Sequence, residues 1–171
     1  MFRWATVGGQ HMQKAALMGQ KIMLLGVLAF GLVVSSAVSA SANPFKKVAG
    51  SWRSSGATAI INGNKEAVKC RARYSVPGRN VSFNLKCSGP GYFVNVNVNA
   101  RVIGGKVKGS WSESQFSKSG WLSGRASSKR SNLSFGGSGI SGSMSISLSS
   151  RSRHAIYINA NGTRISIPLR R

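Results

Sequence analysis

Basic side chains supply most of the chemistry that this sequence could perform. The chain has 24 Lys and Arg residues but only two acidic residues, Glu66 and Glu113, and no aspartate. Such an excess of cations attracts polyanions from solution, and Lys and Arg recognise phosphate and carboxylate groups. The composition therefore predicts a partner such as lipopolysaccharide, acidic polysaccharide or nucleic acid. The simpler alternative is that the charge only keeps the protein soluble.

Two opposed pairs of cations are predicted on the outer face of a β-sheet, with four further cations nearby. In the predicted strand register, Arg71 lies opposite Lys86 and Arg101 lies opposite Lys108. Like charges that face each other across strands are destabilising, and two acids cannot neutralise them. The functional interpretation is that an anion binds between them, whereas screening by water and salt is the alternative. The predicted polyanion-binding residues are Lys69, Arg71, Arg73, Arg79, Lys86, Arg101, Lys106 and Lys108.

The residues needed for catalysis are scarce. His154 is the one histidine after residue 42, and without aspartate a Ser-His-Asp triad cannot form. Glu66 is expected at a turn and Glu113 on an inward face, where we expect it to neutralise an arginine rather than to form a carboxylate pair. We therefore expect no catalytic residue, no cofactor and no metal site, and a protein that is not an enzyme.

The first 42 residues have the order of a secretory signal peptide. Lys14 and Lys21 precede an apolar run at 22–34, and Ala40 and Ala42 form an A-x-A cleavage signal. The run is too short for a transmembrane helix, so we expect no transmembrane span in the mature protein. The predicted domains are a signal peptide at 1–42 and a basic β-barrel domain at 43–171. Three basic residues precede position 43, which leaves residues 43–171 with a net charge of +19.

Export also bears on the two cysteines. Cys70 and Cys87 both lie in the predicted mature part, and an even number of cysteines in an exported chain predicts a disulfide. A metal site is the alternative, but it would need two further ligands from widely scattered residues. The predicted location is the periplasm or the extracellular space.

Alternation of apolar and polar residues predicts the elements that carry these side chains. Val94, Val96 and Val98 alternate with asparagines, and the same period recurs at 143–149 and 164–169. Asn, Gly and Pro clusters separate the runs. We predict strands near 50–61, 65–76, 81–87, 92–103, 106–114, 120–128, 132–136, 142–150, 154–160 and 163–170, with 129–141 the least defined region. The predicted fold is all-β, an antiparallel meander of about 8–10 strands that closes into a calycin-like barrel or sandwich.

The register of the meander follows from its hydrophobic pattern. If 77–80 is a loop, then Tyr74 faces Phe83 and Cys70 faces Cys87; a slip by one residue would turn every side chain over. The same reasoning pairs Cys87 with Tyr92 in the next hairpin and Val98 with Trp111 in the one after it. Pro168 lacks an N–H, so pairing along the last strand should be interrupted beside it.

Short motifs resemble two groups of proteins. Gly50 and Trp52 at the start of the first strand resemble the calycins, the lipocalin and avidin superfamily, in which this tryptophan plugs the closed end of the barrel and a basic residue from the last strand packs over it. That resemblance implies a role for Arg170 or Arg171. The hairpin pattern CxAxYxV at 70–76, the GSW strand at 109–111 and the C-terminal basic pair resemble uncharacterised small exported bacterial β-barrel proteins. Tryptophans predicted to plug the barrel or line a ligand site, unless they only pack the core, are Trp52, Trp111 and Trp121.

Three functions are consistent with these features. The first is an exported, non-enzymatic protein whose basic outer face binds lipopolysaccharide or acidic polysaccharide. Nucleic acid is a weaker alternative because aromatic stacking platforms are not interleaved with the cations. The second is a lipocalin-like carrier of a small apolar molecule, and the third is a structural or adhesion module of the cell envelope. A lined cavity of ~300 Å³ or more would favour the carrier, and a solid interior would exclude it.

Overall fold

The computed structural model describes residues 42–148 and 150–171, and they form an all-β barrel. The predicted fold class is confirmed. The predicted signal peptide lies outside the described residues except for Ala42. The strands are β1 (Gly50–Ser54), β2 (Ala57–Ile61), β3 (Asn64–Ser75), β4 (Asn80–Gly89), β5 (Tyr92–Ile103), β6 (Lys106–Glu113), β7 (Lys118–Ala126), β8 (Arg130–Gly137), β9 (Ile140–Ser147), β10 (Arg153–Ala160) and β11 (Thr163–Arg170).

A short 3-10 helix (Pro44–Val48) precedes the barrel, and the sequence reasoning did not predict it. Pro44 fixes the first turn, and the Asn43 side chain accepts a hydrogen bond from the Phe45 N–H at 3.1 Å. The amide of Asn43 also donates to the Gly78 carbonyl at 3.1 Å. Phe45 and Val48 are buried, so the helix covers one end of the barrel, which we call the closed end.

The sheet closes through an interrupted first strand. Each strand from β3 to β11 pairs antiparallel with the next, while β1 and β2 both lie between β3 and β11. β1 pairs with β3 toward the closed end, and β2 pairs with β3 toward the other end. The single strand predicted at 50–61 is therefore broken at Ser55 and Gly56, where Gly56 has a φ of +79° that a strand does not allow.

Pro168 lies beside this break, as its chemistry requires. β11 pairs with β2 at Arg164–Ser166 and with β1 at Leu169 and Arg170, which leaves 167–168 without partners on that side. The Pro168 carbonyl accepts from the Ser55 N–H at 2.9 Å, so the missing N–H of Pro168 faces the same gap. The interruption predicted beside Pro168 is confirmed.

The predicted β3–β4 register is confirmed. Tyr74 faces Phe83, Cys70 faces Cys87, and the two cysteines form a disulfide with their Cα atoms 4.1 Å apart. Alternate residues of β3 from Val68 to Tyr74 are buried, and the residues between them are exposed. Apolar side chains therefore fill the interior and basic ones point outward.

The predicted β4–β5 register is wrong by two residues. Cys87 faces Val94 rather than Tyr92, because β4 continues to Gly89 and only Pro90 and Gly91 form the turn. A shift of two keeps every side chain on its predicted face, since the side-chain period of a strand is two. In the following hairpin, Val98 faces Trp111 as predicted.

Replacing both Cys70 and Cys87 with alanine should lower the free energy of unfolding by about 3 kcal/mol. The bridge joins residues 17 positions apart and so restricts the unfolded chain. Urea unfolding of the wild type, with and without reductant, and of the double variant measures the loss. A reduced wild type as stable as the oxidised protein would contradict this prediction.

Candidate functional site

Trp52 is the central side chain of the closed end. It is 1% exposed, and its indole Nε1 donates to the Val48 carbonyl of the 3-10 helix at 2.8 Å. The Arg171 guanidinium lies 4.9 Å from the centre of the Trp52 ring, and its Nη2 donates to the Ala49 carbonyl at 2.7 Å. Of the two candidates for this cation, the structure selects Arg171, because Arg170 points outward from β11.

His154 is buried beside this tryptophan. Its ring meets Trp52 edge-on with centroids 4.2 Å apart, and its Nε2 lies 3.2 Å from the Tyr74 hydroxyl. Burial, together with the nearby Arg171 charge, lowers the pKa of His154 to about 4. The imidazole is therefore neutral at pH 7, and its Nε2 shares a hydrogen bond with the Tyr74 hydroxyl. His154 belongs to the packing of the closed end, and it has no carboxylate beside it that would make it a general base.

A cavity of about 360 Å³ occupies the other end of the barrel. Most of its wall is apolar, formed by side chains such as Leu85, Val96, Trp111 and Ile158. Trp111 donates its Nε1–H to the Gly136 carbonyl at 3.3 Å. The indole fits because Gly120 faces it: a Cβ at Gly120 would lie 2.8 Å from that nitrogen. Trp111 thus lies at the predicted ligand-lining position.

Two polar atoms at the cavity end of the barrel are buried without a partner. These are Oε2 of Glu66 and the hydroxyl oxygen of Tyr92. Glu66 lies within β3 with its side chain on the inward face, not at a turn as expected. Desolvation and the neighbouring Glu66 carboxylate raise the pKa of Tyr92. Because unpaired buried polar groups are costly, these two atoms are candidates for hydrogen bonds to a bound molecule.

Glu113 does not neutralise an arginine, contrary to expectation. Its carboxylate accepts backbone N–H groups from Asn95 at 3.0 Å, Gln115 at 2.9 Å and Phe116 at 2.7 Å. Burial opposes ionisation, but these three donors hold the pKa of Glu113 below its usual value. Glu113 therefore fixes the turn between β6 and β7, and both acidic residues of the chain lie on inward faces.

All eight predicted polyanion-binding residues are exposed: seven point outward from β3, β4, β5 and β6, and Arg79 lies in the turn between β3 and β4. The predicted cation pairs are present, with Arg71 opposite Lys86 and Arg101 opposite Lys108. A further pair joins Lys106 to Arg125, which sequence reasoning did not include. No acidic side chain lies on this outer face, because Glu66 and Glu113 both point inward.

Closure of the barrel extends the first of these pairs into a longer row. Arg53 faces Arg71 across β1 and β3, and it also faces Arg170 across β1 and β11. Arg170 in turn faces Arg153. We call these five exposed residues, on five adjacent strands, the cation row: Arg153, Arg170, Arg53, Arg71 and Lys86.

The cation row borders a surface groove at the closed end. This groove has a volume of about 750 Å³, and Arg53, Arg170 and Arg171 are its charged lining residues. Sequence reasoning missed Arg53 because its partner Arg170 is more than a hundred residues distant and its pairing with Arg71 depends on the strand break. Arg153 could have been found from local spacing, since the hairpin that turns at Asn161 and Gly162 sets it opposite Arg170.

Trp121 lies on the outer face and does not line the cavity, so its predicted role is wrong. It is 54% exposed and faces Gly136 on β8. Its ring lies over this glycine, in the space that a larger side chain would occupy. The reason is parity: Gly120 and Leu122 of β7 point inward, and the residue between them must point outward.

Comparison with known proteins gives no family for this chain. The sequence matches no protein-family model and no curated protein.

Within 42–148 and 150–171, no helix is long and apolar enough to cross a membrane. The same residues hold no group of three or more His, Cys, Asp or Glu side chains placed to bind a metal.

Because His154 is buried and neutral, the protein should lose stability as the pH falls. An unfolded histidine takes up a proton near pH 6.5, whereas His154 resists protonation to about pH 4, so its stabilising contribution is complete above pH 6.5 and is lost as the pH falls toward 4. We expect a loss of about 2 kcal/mol across this window, allowing for partial solvent screening.

The control is His154→Gln, which keeps an acceptor for Tyr74 but does not titrate. Urea unfolding at pH 7.0, 5.5 and 4.5 should show a falling midpoint for the wild type and a nearly constant one for the variant. Parallel curves for the two proteins would contradict the assignment.

Proposed function

We propose that this protein is an exported, non-enzymatic binding protein whose cation row holds anionic polymers of the cell envelope. The observation that carries the proposal is the row itself, five cations in register on adjacent strands with no acidic side chain on the outer face. Directly opposed side chains have Cβ atoms about 5 Å apart, so their mutual repulsion is unfavourable. A bound polyanion would remove that repulsion.

The geometry of the row suits a linear partner. Adjacent strands lie ~4.8 Å apart, so five strands place these charges along an arc of ~19 Å that curves around the barrel. Four of the five are arginines, whose guanidinium groups bind carboxylate, phosphate or sulfate oxygens through two hydrogen bonds at once. A polymer with repeated negative groups can contact several of them together and release its counter-ions.

The cellular compartment limits the anionic polymers that the protein can meet as binding partners. The Cys70–Cys87 disulfide fits a non-reducing compartment, and the predicted signal peptide implies the periplasm or the extracellular space. Lipopolysaccharide and acidic polysaccharide are the anionic polymers of those places. Nucleic acid is a weaker candidate because the row contains no aromatic side chain on which bases could stack.

Reversing two charges of the row tests this function. Arg71→Glu combined with Lys86→Glu should weaken binding to polygalacturonate and to lipopolysaccharide by about 10-fold or more at low salt. It should also flatten the dependence of log affinity on log salt by about two ions. The fold should survive, because both side chains point to solvent.

The matched control is Lys65→Glu combined with Lys129→Glu, which changes the net charge equally at exposed sites outside the row. Affinities are measured with fluorescently labelled polymer between ~10 and ~300 mM salt. Equal losses in both variants would show that only net charge matters. A wild type that binds neither polymer at ~10 mM salt would overturn the proposal.

The cavity favours a second candidate, a carrier of a small apolar molecule. Its volume of about 360 Å³ exceeds the ~300 Å³ at which a ligand site becomes plausible, and its wall is mainly apolar. The unpartnered Glu66 and Tyr92 oxygens would give such a ligand a polar contact at one end. The cavity is internal and the cation row external, so the two functions do not compete for one surface.

Filling the cavity should abolish uptake of a neutral apolar probe. We expect N-phenyl-1-naphthylamine to bind the wild type with little dependence on salt, since burial of apolar surface drives the binding. Val96→Trp places an indole in the cavity wall and should weaken binding by about 10-fold or more. Ile103→Trp, at an exposed strand end, is the control. Equal binding by all three proteins would exclude the internal site.

A further inference from the structure

A second groove lies on the outer face, away from the predicted cations. It has a volume of about 450 Å³ and crosses β8, β9, β10, β11 and β2. Tyr157 stands near its middle and is 53% exposed. Its ring lies on the outer face and therefore has no role in packing the barrel interior.

Strand pairing arranges polar side chains on both sides of this tyrosine. Ser145 of β9 and Ser166 of β11 flank Tyr157 directly, and Asn132 faces Ser145 from β8. In the next row toward the cavity end, Asn159 lies beside Arg164. One aromatic ring is thus surrounded by hydroxyl, amide and guanidinium groups.

These polar groups differ in their hydrogen bonding from those on the opposite side of the barrel. On β4 and β5, the Asn84 amide donates to the side-chain oxygens of Asn95 and Asn97, both at 2.8 Å, and Ser82 donates to Asn99 at 3.0 Å. That face satisfies its own polar groups and has little capacity left for a ligand.

The groove, by contrast, keeps its polar groups available. Among the residues that the structure describes, the Asn132, Asn159 and Arg164 side chains make no hydrogen bond to another protein group. All three residues line the groove together with Tyr157. The side chains are therefore free to bind a partner rich in hydroxyl groups.

We propose that this groove binds a sugar unit of an acidic polysaccharide, an inference that rests on the function proposed above. The Tyr157 ring offers its face to the C–H groups of a sugar. Arg164 pairs with a carboxylate or sulfate on that sugar, and Asn132 and Asn159 bond its hydroxyls. The groove would thus select glycans among polyanions, whereas the cation row responds to charge.

The two surfaces share strands, so one polymer can reach both. Arg153 and Tyr157 are four residues apart on the outer face of β10, which is ~13 Å. Only the small side chains of Ala155 and Pro168 lie between their rows. A glycan chain that lies on the cation row can therefore continue along β10 into the groove.

The experiment compares a polyanion with sugars to one without them. Polygalacturonate and long-chain polyphosphate are titrated against the wild type, Tyr157→Ala, Tyr157→Phe and Trp121→Ala. Tyr157→Ala should weaken polygalacturonate binding about 3- to 10-fold and leave polyphosphate binding within about 2-fold. Tyr157→Phe should keep wild-type affinity because it keeps the ring. Trp121→Ala, which removes an exposed aromatic ring from another face, should change neither affinity.

Arg164→Gln is a second variant, and it should weaken the binding of polygalacturonate more than the binding of polyphosphate. The proposal is overturned if Tyr157→Ala affects both polymers equally or neither, or if the wild type binds polyphosphate but not polygalacturonate. In each of these cases the cation row can still bind polyanions. A wild type that binds neither polymer nor lipopolysaccharide would instead refute the proposed function as well.

Discussion

The positions of the basic surface residues and of Trp52 depend on the seam at which β11 meets β1 and β2. Two short strands share one position in the sheet, and each pairs with both β3 and β11. This arrangement brings Arg53 between Arg71 and Arg170, which no local hairpin could do. It also sets Trp52 against the 3-10 helix and beneath Arg171 at the closed end. The position of the cation row and the packing of Trp52 thus both depend on the way in which β1 closes the sheet.

Because successive side chains of a strand point to opposite faces, the acidic residues and the exposed basic residues lie on different faces of the sheet. Glu66 and Glu113 fall on inward positions, and the exposed cations fall on outward ones. Glu113 remains ionised there because three backbone N–H groups substitute for water. The consequence is an outer surface of a single sign, which favours encounters with polyanions and disfavours association between copies of the protein.

The sequence predicted local relations well and distant ones poorly. The β3–β4 register was predictable because the turn signal, the apolar pattern and two cysteines all agree, and only one pairing satisfies them. The β4–β5 register was not, since Gly89, Pro90 and Gly91 permit either a longer or a shorter turn. The Trp121 prediction was wrong because Gly120-Trp121 only partly repeats Gly50-Ser51-Trp52: the glycine precedes Trp121 by one residue and Trp52 by two, so the two tryptophans point to opposite faces.

The binding features themselves depend on information beyond local spacing. Alternation and local hairpin register account for the Arg71–Lys86 and Arg153–Arg170 pairs, but the position of Arg53 between them required knowledge of which strands meet when the sheet closes. The cavity depends on the sum of many side-chain volumes, among them the space left by Gly120 for Trp111. The Tyr157 groove combines residues from five strands, and its free polar groups can be recognised only once the bonded ones on β4 and β5 are known.

The seam has a mechanical consequence. β1 and β11 share only two residue pairs, and one of them sets Arg53 against Arg170, so electrostatic repulsion acts where the backbone pairing is shortest. At low salt concentration this repulsion is poorly screened, so the pairing between β1 and β11 should open before any other part of the sheet. A polyanion lying across this junction would join β1 and β11 from outside, because its negative groups would contact Arg53 and Arg170 together.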